Sequence, residues 1–131
     1  MLFRILVVDD NPVVREQIRS VLESHPEWEV CGEAVNGIEG VERAQELHPD
    51  LVILDFSMPM MNGLRAAQEI SRQIPNVPML LLSVFMSKQL TKEAQRAGFS
   101  GAIPKEQVAY LTKGIETLLN HGTYFPELME N

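Results

Sequence analysis

The chain has 131 residues, 45% hydrophobic and 22% charged, which is the size and balance of one ordinary globular domain. Eighteen acidic residues against eleven basic give a formal net charge of −7, which argues against direct nucleic-acid binding, because gripping a phosphate backbone takes an excess of lysine and arginine. No apolar run approaches the roughly 20 residues that span a bilayer, and Met1-Leu2-Phe3-Arg4 does not open a signal peptide; the single cysteine, Cys31, excludes an internal disulfide and fits a reducing cytoplasm.

The first apolar run is Ile5-Leu6-Val7-Val8. Continuous runs bounded by turn residues suit strands covered on both faces, as in parallel sheets. It ends at Asp9-Asp10-Asn11, where Asp10 or Asn11 can cap a helix whose first residue is Pro12, with Val14, Ile18, Val21 and Leu22 on one face. Trp28–Ala34 alternates apolar and polar residues as an edge strand does. A helix over Gly37–Leu47 follows, with Ile38, Val41, Ala44 and Leu47 inward, stopped by His48-Pro49. Leu51-Val52-Ile53-Leu54 is the next strand, and residues 63–74 the next helix, with Leu64, Ala67, Ile70 and Ile74 apolar. Met79-Leu80-Leu81-Leu82 is a strand, and residues 87–97 a helix turning Leu90, Ala94 and Ala97 inward and closed by Gly98. The weaker run Gly101-Ala102-Ile103 precedes a last helix over about residues 107–121, with Val108, Leu111, Ile115, Leu118 and Leu119 apolar. Residues 1–121 thus form one domain, and the tail 122–131 is expected to be a frayed end or the start of a connector. His25, His48 and His121 fall at helix ends and are expected to be solvated.

A strand–helix pair repeated five times predicts a doubly wound α/β domain, an open five-stranded parallel sheet with helices on both faces. The flavodoxin-like order 2-1-3-4-5 is the simplest arrangement for five units and is taken by analogy with that fold. Ligands of such sheets bind outside the carboxyl ends of the strands. There the sequence places Asp9 and Asp10 after the first strand, Asp55 after the third, Ser83 after the fourth and Lys105 after the fifth. Three converging carboxylates repel one another unless a cation compensates them, and oxygen donors without His or Cys suit Mg²⁺ rather than zinc or iron. A lysine and a hydroxyl beside them are what a phosphoryl group needs, with Asp55 as nucleophile. Taken singly, each of these residues is more simply a helix cap or a turn residue.

Three stretches resemble the response-regulator receiver family: residues 5–11, the block 50–63 and residues 97–105. The resemblance runs from about Arg4 to His121 and looks nearest to receivers that precede a LuxR-type helix-turn-helix domain. It implies that Asp9, Asp10, Asp55 and the backbone carbonyl of Ser57 hold Mg²⁺ or Mn²⁺. It implies that Asp55 takes a phosphoryl group from a sensor histidine kinase or phosphotransfer protein, that Lys105 pairs with a phosphate oxygen, and that Ser83 swings in to bond another. Pro59 and Gly63 would shape the loop after the acceptor, and Val13 would lie on a face where kinases dock. The implied role is a cytoplasmic switch that is part of a transcriptional regulator and can form a homodimer, with no enzymatic activity beyond its own phosphorylation and dephosphorylation. A pseudo-receiver or a metal-dependent phosphohydrolase are the alternatives. A flavodoxin-like cofactor binder is disfavoured, since the first loop lacks a glycine-rich phosphate cradle. The sequence departs from the family pattern at three places. Ala102 stands where many members have an aromatic residue, Pro104 precedes Lys105 instead of a proline following it, and Val84 is bulkier than the usual small residue.

Overall fold

The computed structural model describes residues 2–129, apart from the side chains of Val108 and Met129. The inward placement expected of Val108, the start at Met1, and tail residues Glu130 and Asn131 lie outside the described residues. Five strands alternate with helices: β1 (Phe3–Val8), α1 (Pro12–Glu23), β2 (Trp28–Ala34), α2 (Gly37–Leu47), β3 (Leu51–Asp55), α3 (Gly63–Gln73), β4 (Met79–Ser83), α4 (Lys88–Ala97), β5 (Gly101–Pro104) and α5 (Val108–Leu119), followed by a short α6 (Pro126–Met129). The strands form one parallel sheet in the order β2-β1-β3-β4-β5. The order expected by analogy is the one observed.

The burial pattern explains why the strands were legible. β3 and β4 are buried along their whole length, so every residue but the terminal Asp55 and Ser83 is apolar. β2, at the edge, is fully buried only at Trp28 and Ala34. Two apolar layers sandwich the sheet. One gathers Leu6, Val8, Val52, Leu54 and Leu81 with Ala66, Ile70 and Ala94 of α3 and α4. The other gathers Ile5, Val7, Ile53, Leu80 and Ile103 with Ile18, Leu22, Leu111 and Ile115 of α1 and α5. Alternate residues of each strand face opposite layers, as a period of two requires.

Helix ends follow their side-chain chemistry. Asn11, Asn36, Asn62 and Ser87 each accept backbone amides at the N-termini of α1, α2, α3 and α4. Asn11, rather than Asp10, caps α1, with Pro12 behind it. Gly98, at φ 106°, closes α4 in the left-handed conformation that glycine adopts without penalty.

Three expectations are corrected. Ile38 is 39% exposed, although Ala44 is buried and Val41 and Leu47 pack against the core as expected; α2 also buries Gly37 and Gly40. A Cβ on Gly40 would lie 2.9 Å from Val8 Cγ1, so the absence of side chains lets the helix settle closely on β1 and turns the glycine face inward. His25 is half-buried, its ring stacked on Trp28 with centroids 3.8 Å apart. The tail does not fray over Tyr124 and Phe125, which are both buried. Tyr124 bridges Gly101 in parallel, its amide donating to Ser100 O and its carbonyl accepting from the Ala102 amide, while Phe125 enters the layer beneath α4. Residues after α5 thus extend the sheet by one bridge beyond β5. Among the described residues no helix is long and apolar enough to cross a membrane.

Candidate metal and phosphoacceptor site

β1 pairs with β3, β3 with β4 and β4 with β5, so the residues leaving these four strands meet at one edge of the sheet. The pairing Val8↔Leu54 puts Asp9 beside Asp55. Ligand oxygens of Asp9, Asp10 and Asp55 all lie within 4.8 Å of one another. Asp9 and Asp55 are buried, at 1% and 3% exposure, while Asp10 faces solvent. Lys105 reaches over both buried acids, its Nζ 3.0 Å from Asp9 Oδ2 and 3.1 Å from Asp55 Oδ1. Its backbone amide donates to Ser83 O at 2.8 Å, so the ends of β4 and β5 are tied together at the site.

Burial raises the Asp55 carboxyl above its ordinary value, and the Asp9 charge raises it further; the hydrogen bond and charge of Lys105 oppose them without prevailing. For Lys105 burial works the other way, disfavouring the ammonium. Its hydrogen bonds to Asp9 and Asp55, with their charges, outweigh that and leave it raised. One cation therefore stands among three acids, an imbalance that a second cation would relieve. Asp9 Oδ2 makes the same point locally. It is buried and faces the Lys105 ammonium at 3.0 Å, a donor it shares with Asp55. The donors are all carboxylate oxygens, with no imidazole or thiolate among them, and this set suits a hard divalent cation.

Ser83 is buried and lines the same cleft, but its hydroxyl donates to Phe85 O at 2.9 Å, within its own loop. The cleft is walled further by Asn11, Phe56, Ser57, Val84 and Phe85. Val84 and Phe85 are 55% and 86% exposed and line the rim of the cleft. Ala102 is wholly buried beside α4, in the layer that Phe125 also fills. Val13 lies 60% exposed on the outer side of α1, as its place in the sequence implied. Gly63 matters for a steric reason: a Cβ there would lie 2.3 Å from the Asp55 carbonyl oxygen, so only glycine lets α3 begin against the end of β3. Sequence reasoning missed Arg15 and Glu33. Arg15 donates to the Asp9 carbonyl at 2.7 Å and to Glu33 Oε1 at 3.1 Å. The signal was a cation in the opening turns of α1, where the helix dipole disfavours one unless another group holds it.

An open parallel sheet with an acidic triad and a lysine at its carboxyl edge defines an α/β domain equipped for hard-metal chemistry. Residues 5–116 match the response regulator receiver domain. The protein-glutamate methylesterase/protein-glutamine glutaminase of Alkalilimnicola ehrlichii is 46% identical over 107 residues, 80% of this chain and 27% of that protein. The transcriptional regulatory protein LnrK of Bacillus subtilis is 35% identical over 126 residues, 95% of this chain and 57% of that protein. A LuxR-family two-component response regulator from an Aurantimonas species superposes with a TM-score of 0.91 at 30% identity, covering 95% of this chain and 89% of that one. The response regulator domain of Thermotoga maritima CheB superposes at 0.85 and 30% identity, covering 92% and 98%. The chain belongs to the response regulator receiver family. It spans 27% and 57% of the length of these two curated relatives.

Proposed function

We propose that the chain is a phosphoacceptor switch that takes a phosphoryl group onto Asp55 from a phosphohistidine of a sensor histidine kinase or phosphotransfer protein. The observation that supports this most directly is Lys105 Nζ, 3.0 and 3.1 Å from two buried carboxylates within metal-sharing reach of Asp10. Asp9, Asp10, Asp55 and the carbonyl of Ser57 would hold Mg²⁺ or Mn²⁺. The ion, when bound, neutralises charge on the phosphoryl oxygens. Asp55 supplies a carboxylate oxygen to phosphorus as the bond to the histidine nitrogen breaks; the electron pair leaves with the imidazole. Lys105 steadies the charge spread over the transferring oxygens. The Ser83 hydroxyl exchanges its bond to Phe85 O for one to a phosphoryl oxygen, which draws on the loop leading into α4 and biases a two-state surface.

Acetyl phosphate with Mg²⁺ should add one phosphoryl mass to the chain, and Asp55→Asn should abolish the addition. Undiminished labelling of that variant overturns the assignment of the acceptor. Transcription regulation is the output we favour, supported by the likeness to LnrK and to the LuxR-family structure. Beryllofluoride should then raise the mass of the chain in solution, and an unchanged mass contradicts self-association. The site of action is proposed to be the cytoplasm. There Cys31, half-buried and raised first of all by that burial, acts as an inert side chain.

A further inference from the structure

The loop Asp9-Asp10-Asn11 carries two of the proposed ligands, and its backbone is held at more points than a turn of this length needs. The Asp9 amide donates to Ala34 O at 3.0 Å, the last residue of β2. The Asp9 carbonyl accepts from Arg15 Nη1 at 2.7 Å. Asp9 Oδ1 accepts from the Asn11 amide at 2.8 Å, and Asn11 in turn caps α1. With both main-chain groups and one carboxylate oxygen of Asp9 committed, only Oδ2 is left to face Lys105 and the cleft. The peptide that joins Asp9 to Asp10 is therefore fixed in the orientation that presents both acids.

The guanidinium that holds this peptide is itself held. Arg15 Nε donates to Glu33 Oε1 at 3.1 Å, and the other Glu33 oxygen takes Arg19 from one turn further along α1. Arg15 is 16% exposed and Glu33 27% exposed, so the pair is partly shielded from solvent. Glu33 stands on β2 opposite Val7 of β1, two residues before the acids. A charged guanidinium donating to a carbonyl is stronger and better directed than a neutral donor. Edge strand, first helix and ligand loop thus meet in one relay.

We infer that Arg15, clamped by Glu33, is a positioning residue that orients the Asp9–Asp10 peptide for divalent-metal binding. The inference rests on the proposed reading of those acids as ligands. Its test has two readouts, Mn²⁺ affinity from the EPR signal of the free ion, and hydrogen exchange of the Asp9 and Asn11 amides in chelator. Partners behind metal ligands typically contribute about 10- to 100-fold in affinity, so Arg15→Met should weaken Mn²⁺ binding by about tenfold or more. Arg15→Lys, which keeps the charge but loses the fork, should fall between Arg15→Met and the unchanged chain. Glu33→Gln should shift affinity in the same direction, and combining it with Arg15→Met should add little, because the two act in one path. Arg19→Met, which loses Glu33 but no contact with the loop, should stay within about twofold of the unchanged chain and serves as the control for general loosening. The inference is overturned if Arg15→Met binds Mn²⁺ as the unchanged chain does, or if Arg19→Met weakens binding equally. Should Arg15→Met not fold, Arg15→Lys and Glu33→Gln carry the comparison. If the unchanged chain binds no Mn²⁺, the metal reading fails by itself. Amide exchange in the metal-free protein still decides the positioning role, faster exchange in Arg15→Lys and Glu33→Gln supporting it and equal exchange refuting it.

Discussion

Asp55 is held above its ordinary carboxyl range by burial and by Asp9, against the pull of Lys105. A carboxyl raised on folding contributes its full stabilisation below its unfolded value and loses it as pH rises through the folded value. At neutral pH, with metal chelated, ionised Asp55 therefore works against the fold. Asp55→Asn, which fixes a neutral side chain of the same shape, should melt at a higher temperature than the unchanged chain. The gap should begin to close as pH falls through the raised value and be fully closed below the ordinary carboxyl value, where Asp55 is protonated in folded and unfolded chain alike. Circular dichroism melts from below the ordinary carboxyl value up to neutral pH measure this, and a variant that melts lower at neutral pH would count against it. On the proposed reading the same residue carries opposite demands, since the charge that unsettles the metal-free fold is the one that would attack phosphorus.

At the scale of elements, the tail after α5 makes the sharpest case. Phe125 is 8% exposed in the layer beneath α4, and Tyr124 bridges β5. Truncating a buried phenylalanine to alanine typically costs about 3 to 5 kcal/mol, so Phe125→Ala should lower urea stability by about 3 kcal/mol. Asp55 lies at the other end of a different strand, and its phosphorylation by acetyl phosphate should persist in the folded fraction. A stability change of a few tenths of a kcal/mol would mean the tail rests on the domain without supporting it. This docking was illegible in the sequence because it is a tertiary pairing: nothing in residues 123–125 alone distinguishes a strand-like bridge from a connector. β1, β3 and β4 were legible because burial on both faces forces unbroken apolar runs. On α2 the expected Ala44, Val41 and Leu47 do face the core, but Ile38 does not and Gly37 and Gly40 were overlooked, for a related reason. Periodicity scores side chains, and this helix approaches the sheet through glycines that have none. At the site, Asp9, Asp10, Asp55 and Lys105 could be found because strand ends were a place to look. Arg15 and Glu33 were harder to find, because the contact joins two elements across the fold and the one local trace was a cation in the opening turns of α1.

For the whole molecule, the acids at the site sit within a chain already of net charge −7, so a divalent cation gains from the surrounding field as well as from its ligands. Anything that binds the folded chain and not the unfolded one stabilises it by mass action, by about 2.7 kcal/mol at a hundredfold excess over the dissociation constant. Mg²⁺ should therefore raise the melting temperature progressively with concentration. NaCl at matched ionic strength reports how much of the rise is screening of the acidic surface, which falls off within a Debye length of about 10 Å at 0.1 M. If the gain comes from the triad, Asp10→Asn should lose most of it. That substitution alters an exposed side chain, so its metal-free melt should stay close to that of the unchanged chain. Equal stabilisation of the variant and the unchanged chain by Mg²⁺ would assign the effect to the diffuse negative field and remove the triad from metal binding. A selective loss ties stability to the carboxyl edge of the sheet, where α1, β2 and the strand tips meet, and makes occupancy of that edge a property the entire fold can sense.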